Sequence, residues 1–269
     1  MRNTRISWTN ITWNPLRGCS RKSPGCTNCY AETMAARFSG PGQPYHGYAE
    51  MTPAGPRWTG KIGFVANHIN DPLNWRKPSR IFVNSTSDVF HERAEDSWLQ
   101  EIFRIMERAN WHTFQVLTKR ETVMRDWMEK EAQRLRLKWP PKNVHLGVSV
   151  ENQEYADIRV PVLQETRAAV RFISAEPLLG PVNIRPYLAK GGISWLIAGA
   201  ESGYGARPMD EAWVRDLRDQ CVQYGVKFFY KQRIGKDGKK VETPKLDGRR
   251  WTQYPTRLAG RPVAFTKAV

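Results

Sequence analysis

The chain of 269 residues has no run of 18 apolar residues and no apolar segment behind Met1, Arg2, Asn3, Thr4 and Arg5, so neither a membrane span nor a secretory signal is expected. It shows no internal repeat, low-complexity tract or clear interdomain linker, which leaves an ordinary folded protein rather than a solenoid or a disordered chain. Cysteine and histidine are scarce, four and five residues, and none of His46, His68, His91, His112 or Cys221 falls at a zinc-finger spacing. Acidic residues are in deficit, with 26 Asp and Glu against 42 Lys and Arg. The resulting formal charge of +16, with an isoelectric point near 9.9, exceeds what solubility needs. It predicts attraction to polyanions, with nucleic acid ahead of an anionic membrane because no amphipathic anchor is evident. A merely basic protein is the bland alternative. A cytoplasmic location follows, and there clustered thiols stay reduced and favour metal over a disulfide.

What is present is a core-forming composition, 40% hydrophobic and 25% charged, long enough for one barrel-sized α/β domain or two small ones. Three of the four cysteines, Cys19, Cys26 and Cys29, lie within eleven residues. Ser23, Pro24 and Gly25 turn the chain between the first two, and the two residues between Cys26 and Cys29 let both thiolates converge. Three thiolates are an incomplete set. A structural zinc needs a fourth ligand, from His46, His68, His91, His112 or Cys221, whereas a cubane iron-sulfur cluster on three thiolates keeps one iron free for an exogenous ligand. A thioredoxin-like reading of the Cys26 to Cys29 motif leaves Cys19 unexplained. Cys221 sits on an apolar helical stripe and reads as core.

Around this loop the pattern is α/β. Residues 6–15 alternate and predict a first strand delivering the cysteine loop; residues 30–38 predict a short helix, placing Cys29 near a helix N-terminus that favours an anionic thiolate or cluster. Residues 39–60, rich in Gly and Pro, read as a flap or insertion. Apolar runs at 81–83, 114–117, 144–148, 170–173, 195–198 and 226–230 predict buried parallel strands. Amphipathic helices are expected from Asp96 (Trp98, Ile102, Ile105, Met106), over 120–135, and through Trp213, Leu217, Cys221 and Tyr224. The expected fold is a partial β/α barrel of about six to seven parallel strands over 1–235, with a small basic β appendage over 236–269. Asp237-Gly238 and Asp247-Gly248 read as its turns, and Arg249, Arg250, Trp251 and Tyr254 as groups that bind phosphates and stack on a base, with a solvated covering hairpin as the alternative.

Every expected strand ends in a polar cluster, which in a β/α barrel faces the active-site mouth, although helix caps also favour Ser and Asp at such points. Trp13-Asn14-Pro15 through Gly18-Cys19, then residues 23–32, resemble the signature of a phage-associated family known for its three-cysteine motif. The likeness extends through 84–91, 117–120, 146–152, 174–179 and 199–203 to Lys231 and Gln232. That family in turn resembles radical S-adenosylmethionine enzymes, distantly those containing spore photoproduct lyase. The resemblance implies a 4Fe-4S cluster on Cys19, Cys26 and Cys29, S-adenosylmethionine on its fourth iron, a reductant such as flavodoxin or ferredoxin, and a 5'-deoxyadenosyl radical that modifies or repairs a nucleic acid or nucleotide. Six residues separate Cys19 from Cys26 where the usual motif has three. On this reading Ser85, Ser87 and Asp88 hold amino or ribose groups of the cofactor, Lys119 or Arg120 its carboxylate, and Glu151, Asn152, Glu176 and Glu201 ribose or substrate. Lys231 is a point charge for a phosphate or carboxylate. The rival expectation is a non-catalytic nucleic-acid-binding protein with a structural zinc or iron-sulfur site.

Overall fold

A computed structural model describes residues 4–135, 140–203, 205–235 and 237–255. Eight strands form one sheet whose order follows the chain: β1 (Ile11–Trp13), β2 (Arg80–Val83), β3 (Thr113–Thr118), β4 (Val144–Ser149), β5 (Val170–Ala175), β6 (Trp195–Gly199), β7 (Lys227–Ile234) and β8 (Lys240–Glu242). The first seven pair in parallel and β8 returns antiparallel on β7, so the sheet curls into a half-barrel. Helices α1 (Tyr30–Arg37), α2 (Asp96–Arg108), α3 (Glu121–Leu135), α4 (Gln153–Glu165), α5 (Arg185–Ala189) and α6 (Glu211–Gln223) lie between strands. All six apolar runs fall in strands, apart from Val226 just before β7, and they are buried or half-buried on both faces except at the exposed Lys227, as parallel strands under helices must largely be.

Alternate residues divide between two cores. Ile81, Val83, Phe114, Val116, Leu146, Val148, Ile173, Leu196 and Phe228 point outward to helix residues such as Ile102, Met106, Val160 and Leu217. Phe82, Phe172, Trp195, Ile197 and Phe229 point inward and, with Trp8, fill the concave side. Gly147 faces the same interior, and a Cβ there would lie 2.6 Å from the Phe172 ring, so glycine is what lets that ring cross β4.

Two expectations are corrected. The first strand covers only Ile11–Trp13, not 6–15, because the chain turns at residues 6–9, where the Thr9 amide donates to the Ile6 carbonyl. This carries Trp8 against Phe82, Phe172 and Trp195, a larger burial than continued pairing at an edge offers. Tyr224 follows the end of α6 and is 36% exposed, while Trp213, Leu217 and Cys221 pack against the core.

Helix α4 has no counterpart in the periodicity reading, since Pro161 and the buried Arg159 spoil its apolar stripe. The region 39–60 contains a hairpin, Ala49–Thr52 with Gly55–Trp58, whose Ala49 and Trp58 pack on Ala35 and Ala36 of α1. Asp247 and Gly248 both have positive φ, 50° and 79°, as the turn reading requires, and join Lys245–Leu246 to Arg249–Arg250. Leu246 is buried in the outer core, so this part of the expected appendage packs on the half-barrel; residues 256–269 lie outside the described residues.

Candidate functional site

The cysteine loop leaves β1 and lies across the C-terminal ends of the strands, where four strand-end groups clamp it. Arg120, after β3, donates to the Ser20 carbonyl at 3.2 Å and to its hydroxyl at 2.8 Å. Ser23 donates to Glu151, after β4, at 2.6 Å. Asn28 donates to Glu201, after β6, at 2.9 Å, and Arg207 spans from Glu201 to the Pro24 carbonyl. His91 accepts the Arg93 amide at Nδ1, which leaves the proton on Nε2 to donate to the Ser20 hydroxyl.

These clamps are themselves braced. Asp88 accepts from Thr118, the Lys119 amide and Arg120 at 2.7, 3.1 and 3.0 Å. Burial works against ionisation of Glu151, yet Lys119 and Arg159 hold its carboxyl below the usual range. Burial likewise opposes ionisation of Glu201, and Arg207 overcomes it.

The three thiols are free and half-buried, and all three line one cavity of about 190 Å³. Burial pushes the Cys19 thiol up to about 12, with the nearby Asp88 carboxylate adding to the effect. Burial also raises Cys29, although the amides of Glu32 and Ala31 at the start of α1 pull the other way. The helix terminus therefore acts as the sequence suggests, but desolvation outweighs it. A metal bound here would have to displace protons from the thiols.

The cavity floor is apolar, formed by Trp8, Phe82 and Leu117, and its upper wall carries Lys119, Ser149, Glu176, Ser202 and Lys231. Lys231 and Glu176 are ion-paired. Three residues lining the cavity carry a buried polar atom with no hydrogen-bond partner among the described residues: Trp8 Nε1, Asn84 Nδ2 and Ser174 Oγ, on residues 2%, 2% and 1% exposed. The orientation of Asn84 is fixed, because its Oδ1 accepts the Leu16 amide at 3.2 Å; its backbone takes φ 57°, a region asparagine tolerates. Unpaired polar atoms at this depth are costly, and a polar group entering the cavity would satisfy them.

A model of the family described as a protein of unknown function, DUF5131, matches residues 3–255. The chain belongs to that family. No curated protein and no solved structure matches it.

In this DUF5131 member the residues singled out from sequence fall into three groups. Cys19, Cys26, Cys29, Ser85, Ser87, Lys119, Glu176 and Lys231 line the cavity together. Asp88, Arg120 and Glu201 also border it, but their polar atoms, like those of the fully buried Glu151, are used to hold the loop and one another. Asn152 lies outside the lining and caps α4 by accepting the Tyr155 amide at 3.2 Å. Arg249, Arg250 and Trp251 also lie outside it, with Trp251 packed on Phe228 and flanked by Arg218 of α6 and by Arg249. They are placed there because residues 249–254 run alongside β7 on the sheet's flank.

Asn84, Ser174, Asn28, Tyr30 and Arg207 escaped the sequence reading as individuals. Asn84 and Ser174 stand in strand-end clusters, but only burial without a partner distinguishes them from caps. Among the described residues no three His, Cys, Asp or Glu side chains are grouped to hold a single metal ion. Cys221 is in the outer core, and His112 is bonded to Ser79 and Pro72. A cubane cluster instead takes each thiolate on a different iron and needs donors spread around it. Three free thiols line one cavity with Lys119 and Arg120 nearby, a donor set of the kind a cluster would take.

Proposed function

We propose that the chain is a radical S-adenosylmethionine-type enzyme that modifies or repairs a nucleic acid or nucleotide. The observation that carries this reading is the sharing of one cavity by three free thiols and the polar ends of parallel half-barrel strands. Cys19, Cys26 and Cys29 would hold a 4Fe-4S cluster, which when bound supplies the electron for reductive cleavage of S-adenosylmethionine. Everything else falls to the chain's own residues.

S-adenosylmethionine brings an ammonium, a carboxylate and ribose hydroxyls. Against these the cavity offers the Glu176–Lys231 ion pair, whose two charges a zwitterion can exchange with, the Lys119 ammonium beside Glu151, the unpaired Asn84 amide and the Ser174 hydroxyl. Trp8, Phe82 and Leu117 exclude water from below, so charge interactions at the mouth act at reduced dielectric. The +16 charge supports a polyanionic substrate.

The test is anaerobic iron-sulfur reconstitution, reduction with dithionite or a flavodoxin system, and assay for 5'-deoxyadenosine. Turnover is expected with the native chain and abolished by Cys26→Ala. A protein that carries four irons per chain, an about-stoichiometric cubane by general cluster chemistry, yet yields no 5'-deoxyadenosine under several reductants, refutes the proposal.

A further inference from the structure

Beside the deep cavity runs a wider groove of about 650 Å³, bordered by α1, residues 44–45, and the strands β7 and β8. Cavity and groove share Ile6, Tyr30, Ser85, Thr86, Ser202 and Lys231 as common walls. The cavity's 190 Å³ is below the ~300 Å³ at which ordinary small-molecule sites begin. A cofactor and a substrate held together therefore extend through the shared wall into the groove.

The groove has the chemistry of a strand track. Tyr30 and Met34 on α1 and Phe38 just past its end recur every four residues, so they lie along one side of the helix, and all three line the groove. Tyr30 and Phe38 are large apolar groups left 48% and 50% exposed. Tyr30 is held in place, because its hydroxyl donates to the Ser85 carbonyl at 2.5 Å. Tyr45 is anchored likewise to the Thr86 hydroxyl at 2.9 Å.

Charge is one-sided. Arg5, Lys231 and Lys240 line the groove, and no Asp or Glu stands among its lining residues. Lys240 pairs with Glu242 at 2.6 Å but keeps 35% of its side chain exposed, whereas Lys231 is committed to Glu176. Exposed rings, with Tyr30 held in place, next to Arg5 and the part-exposed Lys240 suit a chain of phosphates with accessible base faces. A duplex hides those faces in its stack.

We propose that this groove binds a single-stranded nucleic acid, stacking bases on Tyr30 and Phe38 while Arg5 and Lys240 meet phosphates, and so presents a nucleotide to the cavity mouth. The inference deepens the nucleic-acid part of the function proposed above and rests on it.

The test is fluorescence anisotropy of a labelled oligothymidylate with the full chain, before and after iron-sulfur reconstitution, across a salt series. Phe38→Ala is expected to weaken binding about tenfold through the lost stacking surface. Lys240→Glu is expected to weaken binding and reduce the salt slope by about one. Lys190→Glu makes the same charge change on an exposed residue after α5, at the opposite ends of the strands, and should do far less. An equal loss from Lys190→Glu, displacement of the oligonucleotide by duplex at equal nucleotide concentration, or native affinity in well-folded Phe38→Ala and Lys240→Glu proteins overturns the proposal. The two readings separate cleanly. Substrate-independent 5'-deoxyadenosine formation reports the radical chemistry, and oligonucleotide affinity of the groove variants reports the track.

Discussion

Gly25 rests against the Glu151 carboxylate so closely that a Cβ on residue 25 would lie 2.4 Å from Oε1 and 2.5 Å from Cγ. The glycine between Pro24 and Cys26 is thus needed for more than a turn. It lets the cysteine loop settle on a carboxylate that Lys119, Arg159 and Ser23 already hold in place. Gly25→Ala must therefore lift the loop or displace Glu151. The expected result is faster reaction of the cysteine thiols with a disulfide reagent in the metal-free chain, together with less iron retained after reconstitution. Native thiol reactivity in this variant would show that the contact does not position the loop.

The Arg207 clamp makes a second prediction. Its side chain bonds Glu201 at 2.5 and 2.9 Å and the Pro24 carbonyl at 2.9 Å, while Glu201 is 5% exposed. Arg207→Ala leaves that carboxylate with Asn28 and backbone groups, at an expected cost of about 1–3 kcal/mol in urea unfolding. Arg207→Lys should recover only part of it, because an ammonium cannot reproduce the two-pronged contact. Full recovery by lysine would reduce the clamp to simple charge.

Ser174 separates stability from function. Its hydroxyl is buried and unpaired among the described residues, so Ser174→Ala is expected to leave stability unchanged or raise it by up to about 1 kcal/mol. The same variant should bind S-adenosylmethionine more weakly, by equilibrium dialysis of the reconstituted protein. Lower stability with unchanged ligand affinity would reverse the assignment.

Acid sensitivity follows from His145, which is 2% exposed on the inner side of β4. Burial, with a lesser push from Arg80, lowers its value from 6.5 to about 4. Below pH 6.5 the unfolded chain takes up a proton that the folded chain refuses, so stability is fully present above that pH and is lost as pH falls toward 4. The loss from this group is on the order of 3 kcal/mol. Burial lowers His112 as well, adding in the same direction. Urea midpoints measured across this interval should fall with pH, and His145→Gln should flatten the slope; an unchanged slope would assign the acid sensitivity to other groups.

Much of the architecture was legible from one-dimensional pattern. Runs such as those around Phe82, Phe172 and Phe228 are apolar on both faces, and only a parallel sheet covered on both sides accommodates that. The cysteines declared themselves by spacing, and Asp247-Gly248 declared its turn. Helix α4 was hidden because Arg159, which its periodicity should place outside, is buried against Glu151 and the Ser149 carbonyl.

Sequence by itself therefore determined the strand rhythm, the thiol loop, the basic charge and the polar strand ends, since each depends on neighbours in the chain. Tertiary structure alone decided the roles within those clusters. It turned Asp88, Arg120, Glu151 and Glu201 into braces, left Asn84 and Ser174 facing the cavity unpaired, and set Trp8 as a floor. The physical reason is that a polar side chain's role depends on which partners desolvate or satisfy it, and those partners can lie far away in the chain, as Asn28 lies 173 positions from Glu201. The three-cysteine loop is legible in the sequence; that four separate strand ends hold it over one cavity is a property of the fold.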